Sequence, residues 1–151
     1  ADEQQKERIA IILQDSLKKI GMNVEIQKLA YAQFNELEQG SKLQMWMDEW
    51  ISWVNDPYYH MFWLASSGSP SNYPKFNNTR VDEIINTYIL SDDAAGREAG
   101  SKEAQAILID ESPYVFIAQP NWIIYFGQDI DGYVYYNDEL PRYAPMTRTS
   151  S

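Results

Sequence analysis

Residues 13–29, "LQDSLKKIGMNVEIQKL", hold the first turning point of the chain. Leading into it, Ile9, Leu13, Leu17 and Ile20 recur at intervals of four, four and three residues, the period of one helical face. Gly21 ends that helix, because glycine tolerates the left-handed conformation that closes a last turn. Val24 and Ile26 then alternate with polar neighbours, as a short strand does. A helix that passes to a strand within two residues predicts an α/β layer.

The pattern continues downstream. In "YAQFNELEQG" (31–40), Phe34 and Leu37 lie three apart and Gly40 marks the stop of a second helix. "KLQMWMDEW" (42–50) reads as a strand with Leu43, Met45 and Met47 on one face and Trp46, Asp48 and Trp50 on the other. It runs into "DEWISWVNDPYY" (48–59), where two tryptophans, two tyrosines, a proline and three carboxylates crowd twelve positions. Ligands of open α/β sheets bind outside the carboxyl ends of strands, so this stretch is placed where a site is expected. Pro57 can open a helix filled by "YYHMFWLA", and "SSGSPSNYPKFNN" (66–78) is a loop. Thr79 is the expected cap of the next helix, with Val81, Ile84, Ile85, Tyr88 and Ile89 as its apolar face and Asp82 and Glu83 favouring its dipole. A further helix is expected from Ala94 to Asp110, with Ala99, Ala106, Ile107 and Ile109 apolar and with Gly96 and Gly100 weakening its start. "PYVFIAQ" (113–119) reads as a buried strand, and "NWIIYF" (121–126) as another extended or partly helical piece. A Tyr-rich, turn-rich tail follows Gly127.

Composition bounds the function. A chain of 151 residues can bury a real core, and 44% hydrophobic with 23% charged residues is a globular balance. No apolar run approaches the roughly 20 residues of a membrane span. The formal charge of −10, from 22 acidic against 12 basic residues, argues against a phosphate-binding surface, so no nucleic-acid partner is expected. The absence of cysteine excludes disulfides, thiolate metal sites and Cys nucleophiles. The opening "ADEQQKERIA" has no initiator Met and no signal-peptide pattern, so any targeting segment is expected to lie outside this sequence.

Motifs for chemistry are sparse. His60 is the single histidine, so neither a common metal site nor a cofactor is expected. The serines of 66–71 lack a nucleophile elbow, and the glycines form no phosphate cradle. Asp48–Glu49, Asp82–Glu83, Asp92–Asp93 and Asp138–Glu139 are adjacent acids of the kind that sit solvated on helix starts and loops. The tryptophans differ in kind, since Trp46, Trp50, Trp53 and Trp63 all fall within one strand, turn and helix. They suit either a core or a ligand wall: flat apolar area with a polar handle stacks on sugars, peptides and aromatic small molecules.

In order, "LQDSLKKIGMNVEIQKL", "FNELEQGSKLQMWMDEWISWVNDP", "SPSNYPKFNNTRVDEIINTYI", "AGREAGSKEAQAILIDESPYVFIAQ" and "RYAPMTR" make the chain resemble the extracellular solute-binding proteins for peptides, nickel and oligosaccharides that serve ABC importers. The resemblance implies an α/β fold, the C-terminal lobe of a class II periplasmic-binding-protein fold, with a short mixed sheet flanked by helices and incomplete without its N-terminal lobe. Residues 1–127 would form that lobe without its first strand, and residues 128–151 a tail returning toward the absent lobe. It further implies a non-enzymatic component that captures a small solute, such as a peptide or oligosaccharide, in an aromatic-lined interlobe cleft and delivers it to the transmembrane subunits of an ABC permease. The expected location is periplasmic or extracellular, with a lipid anchor through a missing N-terminus as one form.

Trp50 to Pro57 resembles the family's lobe-edge motif, a Trp, an Asp three residues later, then an acid before Pro. In peptide-binding members that Asp pairs with the ligand's α-amine; here Trp53 stands in its place. An indole offers an ammonium a cation–π contact of about 0.5–2 kcal/mol and no salt bridge, which favours stacking ligands over free-amine dipeptides. The expected ligand residues are Trp50 and Trp53 as platforms, Asn55 and Asp56 as orienting or turn-setting groups, and Tyr58, Tyr59, Ser67 and Asn72 behind them. Two rivals stand beside this reading: a hydrolase on the same fold using Asp48 or Glu49, and a free-standing module whose aromatics dock on a partner protein.

Overall fold

Helix α1 spans Glu3–Lys19 in the computed structural model, which describes residues 3–119, 121, 123–136, 138 and 140–149. Lys18 and Lys19 complement the dipole of its last turn. Gly21 takes φ +87°, and the bonds Met22 N to Leu17 O (3.0 Å) and Gly21 N to Lys18 O (3.0 Å) form a Schellman closure, as the sequence predicts. Helix α2, Tyr31–Gln39, closes the same way one residue later than expected: Gly40 stays right-handed and Ser41 takes φ +51°. The Ser41 hydroxyl donates to the Tyr73 carbonyl at 2.9 Å.

Two compact units result. The first is Ala1–Trp50 with Tyr73–Lys75, and the second is Ile51–Asn72 with Phe76–Ser151. In the first unit, residues 23–29 and 42–50 belong to no helix or ladder, so the two strands expected there are absent. Alternation assigns side chains to faces, but a strand exists only where a neighbour takes its backbone bonds. Here the Val24 carbonyl accepts the Gln14 side chain at 2.7 Å instead. Met45 is 59% exposed while Leu43 and Met47 are half-buried, so the expected face does not form either.

In the second unit Pro57–His60 form α3, which widens into a π-turn, Met61–Ala65, closed by Ser66 N on Met61 O at 3.1 Å. Helix α4 is Thr79–Tyr88. Its cap is Asn78, not Thr79: the Asn78 carboxamide oxygen accepts Arg80 N at 2.9 Å and Val81 N at 3.1 Å, and Asn is the stronger capping residue. Helix α5, Ala94–Glu111, is capped by Asp93, which accepts Gly96 N at 3.0 Å. The core joins Tyr58, Met61 and Ala65 to Val81, Ile84 and Ile85 of α4 and to Ala104 and Leu108 of α5. The buried face of α5 is therefore Gly100, Ser101, Ala104 and Leu108. Ala99, Ala106 and Ile109, the apolar positions read along this helix, are exposed, and Ile107 is half-buried. Residue size rather than hydropathy selects this face, because α5 must approach the rings of Tyr58 and Tyr88 closely.

The described sheet is one antiparallel ladder, β1 (Ile130–Asp131) with β2 (Thr147–Arg148), pairing Ile130 with Arg148 and Asp131 with Thr147. The expected mixed sheet is not found among the described residues; the architecture is helix-rich α/β. Val115 and Phe116 are 75% and 68% exposed, which contradicts the buried strand expected at 113–119. Residues 121 and 123–126 lie outside helix and ladder too, and the Trp122 of that stretch falls outside the described residues.

A Cβ on Gly100 would stand 2.8 Å from the Tyr58 hydroxyl and 2.8 Å from the Tyr88 ring. Helix propensity alone gives Gly100→Ala a gain of about 1 kcal/mol. The packing predicts instead a loss of about 1–3 kcal/mol, read from the midpoint of urea unfolding.

Candidate functional site

Asp56 organises the stretch that the sequence marks out. Residues 53–55 form a bend, closed by Asp56 N on Val54 O at 2.8 Å, and the Ser52 hydroxyl donates to the same carbonyl. Asp56 Oδ1 caps α3 by accepting Tyr58 N at 2.9 Å, with Pro57 preset at the first helical position. Its other oxygen accepts from Arg97 Nη2, an ion pair reaching across 41 residues of sequence. Arg97 is the member that the sequence does not reveal. Its Nη1 donates to the Tyr88 and Ile89 carbonyls at the end of α4, its guanidinium lies over the Tyr58 ring at 4.7 Å, and its own carbonyl accepts the Tyr58 hydroxyl at 2.9 Å. Burial pushes the Tyr58 phenol above its ordinary pKa. Asn55, Asp56, Arg97, Ser101, Lys102 and Gln105 line an open depression of about 480 Å³ beside this clamp.

The candidate ligand residues separate by position. Trp53, at the bend, is 69% exposed, and Asn55 beside it is exposed. Trp50 is 38% exposed and belongs to the first unit. Tyr59 is half-buried, its ring edge-on to His60 at 5.7 Å. Tyr58 is buried in the core. Ser67 is tied to α4, its N–H and hydroxyl both donating to the Asp82 carboxylate at 2.9 and 2.5 Å. Asn72 is buried and closes its loop: Nδ2 donates to Ser66 O (3.1 Å) and Phe76 O (2.7 Å) while Oδ1 accepts Phe76 N (3.0 Å). Trp46 is half-buried with its indole on the Glu38 carboxylate, and Trp63 is half-buried, edge-on to Phe62 at 5.2 Å.

The acids of the first unit form a charged patch. Lys6 Nζ sits 3.7 Å from Asp48 and 3.8 Å from Glu49. Glu38 is buried, and burial with the nearby Asp48 raises its pKa against the opposing pull of Trp46 and Lys6. Among the described residues no group of three or more His, Cys, Asp or Glu is placed to hold a metal ion.

Residues 1–72 match the model for bacterial extracellular solute-binding proteins, family 5 Middle. Three relatives are similar over most of the chain. A probable D,D-dipeptide-binding periplasmic protein of Escherichia coli (strain K12) is 30% identical over 85% of this chain and 26% of its own length. A di/tripeptide-binding protein of Pseudomonas aeruginosa (strain UCBPP-PA14) is 27% identical over 83% of this chain and 24% of its own. An oligopeptide-binding protein of Bacillus subtilis (strain 168) is 25% identical over 87% and 24%. The chain thus spans about a quarter of the length of these relatives.

His60 Nε2 is buried with no hydrogen-bond partner among the described residues, and burial lowers the imidazole pKa from 6.5. The unfolded chain takes up this proton first as pH falls, so stability is intact above pH 6.5 and lost as pH drops through it. Urea unfolding between pH 7.5 and 5.5 should show this slope, about 1.4 kcal/mol per pH unit at its steepest, and His60→Gln should flatten it. Superimposable profiles for the two proteins would contradict the assignment.

Proposed function

For a chain that belongs to the bacterial extracellular solute-binding proteins of family 5, we propose the role of substrate-binding component of an ABC importer, acting in the periplasm or outside the cell. The observation that carries the site assignment is Trp53, a 69% exposed indole on a bend whose base is anchored by Asp56. An exposed apolar ring on an anchored turn offers stacking area at little ordering cost on binding. It supplies an aromatic wall of an interlobe cleft, Asn55 orients polar groups beside it, and Tyr59 extends the apolar surface; Trp50, in the first unit, is a stacking platform in its own right. Asp56, Tyr58, Ser67 and Asn72 support this wall through the hydrogen bonds that set its loops.

The ligand class follows from the relatives and the wall together. The relatives are named for dipeptides, tripeptides and oligopeptides, so a small peptide with an aromatic or cationic face is the reading we favour. An oligosaccharide would use the same stacking surface. Residues 1–127 act as the C-terminal lobe and residues 128–151 as the tail toward an N-terminal lobe, with the permease subunits receiving the closed form. Family members are binding proteins, and Asp48 and Glu49 form loose ion contacts with Lys6 in place of a nucleophile–base pair, which speaks against the hydrolase.

Calorimetric titration of a di- and tripeptide panel into the intact protein tests the wall. Trp53→Ala should weaken the best ligand by about 2- to 30-fold, the equivalent of about 0.5–2 kcal/mol. Unchanged affinity would remove Trp53 from the site.

A further inference from the structure

Arg97 has one contact set on each side of the bend's foundation. Toward α4 it binds the Tyr88 and Ile89 carbonyls, which the helix leaves without intrahelical partners. Toward α3 it holds Asp56 and covers Tyr58. Its side chain is only 21% exposed, so the pair with Asp56 is partly shielded from solvent. Asp56 at the same time closes the Trp53 bend, through its N–H on the Val54 carbonyl, and caps α3. Moving the Asp56 carboxylate therefore moves both the helix start and the bend.

We propose that Arg97 is a positioning residue for ligand binding: by clamping Asp56 between α3 and the end of α4 it fixes the bend that presents Trp53, and so sets affinity for ligands that stack on that indole. The inference rests on the ligand-wall reading given above. A guanidinium can serve a carboxylate, two carbonyls and a ring face together because it is planar with five donors. A lysine ammonium is a point charge on a flexible stem and cannot make that set at once.

Two variants separate positioning from folding. Arg97→Lys keeps the charge and loses the fork. Asp56→Asn keeps an acceptor for Tyr58 N, since Asn caps as well as Asp, and loses the charged partner of Arg97. Intact protein labelled with 5-fluorotryptophan reports the indole directly by fluorine NMR, the Trp53 resonance being the one lost in Trp53→Phe. The proposal expects this resonance to shift or broaden in both variants. It also expects peptide affinity to fall about 3- to 10-fold, a loss that disappears when the same variants are made on Trp53→Ala. Should Arg97→Lys fail to fold, Asp56→Asn carries the test. An unmoved Trp53 resonance overturns the proposal, and so does an affinity loss of equal size with and without Trp53. If Trp53→Ala alone leaves peptide affinity unchanged, the ligand-wall reading falls, and the Trp53 resonance alone then decides whether Arg97 positions that side chain.

Discussion

Arg97 meets four demands at one place in the second unit. It neutralises Asp56, satisfies two terminal carbonyls of α4, covers one face of a buried tyrosine and receives that tyrosine's hydroxyl on its own backbone. The Tyr88 carbonyl also accepts Ser91 N at 3.2 Å, and the guanidinium joins it to the Ile89 carbonyl, the Asp56 carboxylate and the Tyr58 ring, tying α3, α4 and α5 to one arrangement. The bend bearing Trp53 hangs from that arrangement through Asp56. Among the described residues the 53–55 bend is otherwise held by the hydrogen bonds of Ser52 Oγ and Asp56 N to Val54 O.

The clamp in turn requires close helices. Gly100, Ser101 and Ala104 give α5 a shallow face, and Tyr58 and Tyr88 fill the space that larger residues would take. The apolar side of α4, Val81, Ile84 and Ile85, is at most 1% exposed and supplies the hydrophobic part of the same core. Within the second unit, Ser67 is fastened onto α4 through Asp82, and Asn72 ties Ser66 to Phe76. Polar residues of the loop thus hold the fold by hydrogen bonds where apolar residues hold it by burial.

Much of this was legible in the sequence where the signal is local. The period of Ile9, Leu13 and Leu17, the stop at Gly21, the Pro57 start and the amphipathic face of α4 all depend on residues within a few positions of one another, whereas Ile20, read as part of the same face, lies past the end of α1 and is 73% exposed. The strands at 23–29, 42–50 and 113–119 were not legible in this way, because alternation and β-branched content describe a strand's faces and not the neighbour that must take its backbone bonds. The inner face of α5 was missed because hydropathy ranks Ile109 above Gly100, while the contact is decided by volume. At the site, the exposed Trp53 agrees with its place in an aromatic cluster, whereas the pairing of Asp56 with Arg97 spans 41 residues and leaves no local trace. Tyr58 and Asn72 read from sequence as secondary ligand groups, and both are 1% exposed.

Under the proposed solute-binding role, the exposed aromatic edge of the second unit is the part with the most direct bearing on function. The central claim is that Trp53 stands in the place of an amine-pairing acid and meets its ligand through the ring face. A crystal structure of the intact protein with a bound peptide tests this most directly. The account predicts ligand atoms stacked within about 4 Å of the Trp53 indole plane, with the Asp56–Arg97 pair intact beneath it. A bound peptide that leaves the Trp53 ring in solvent would contradict it.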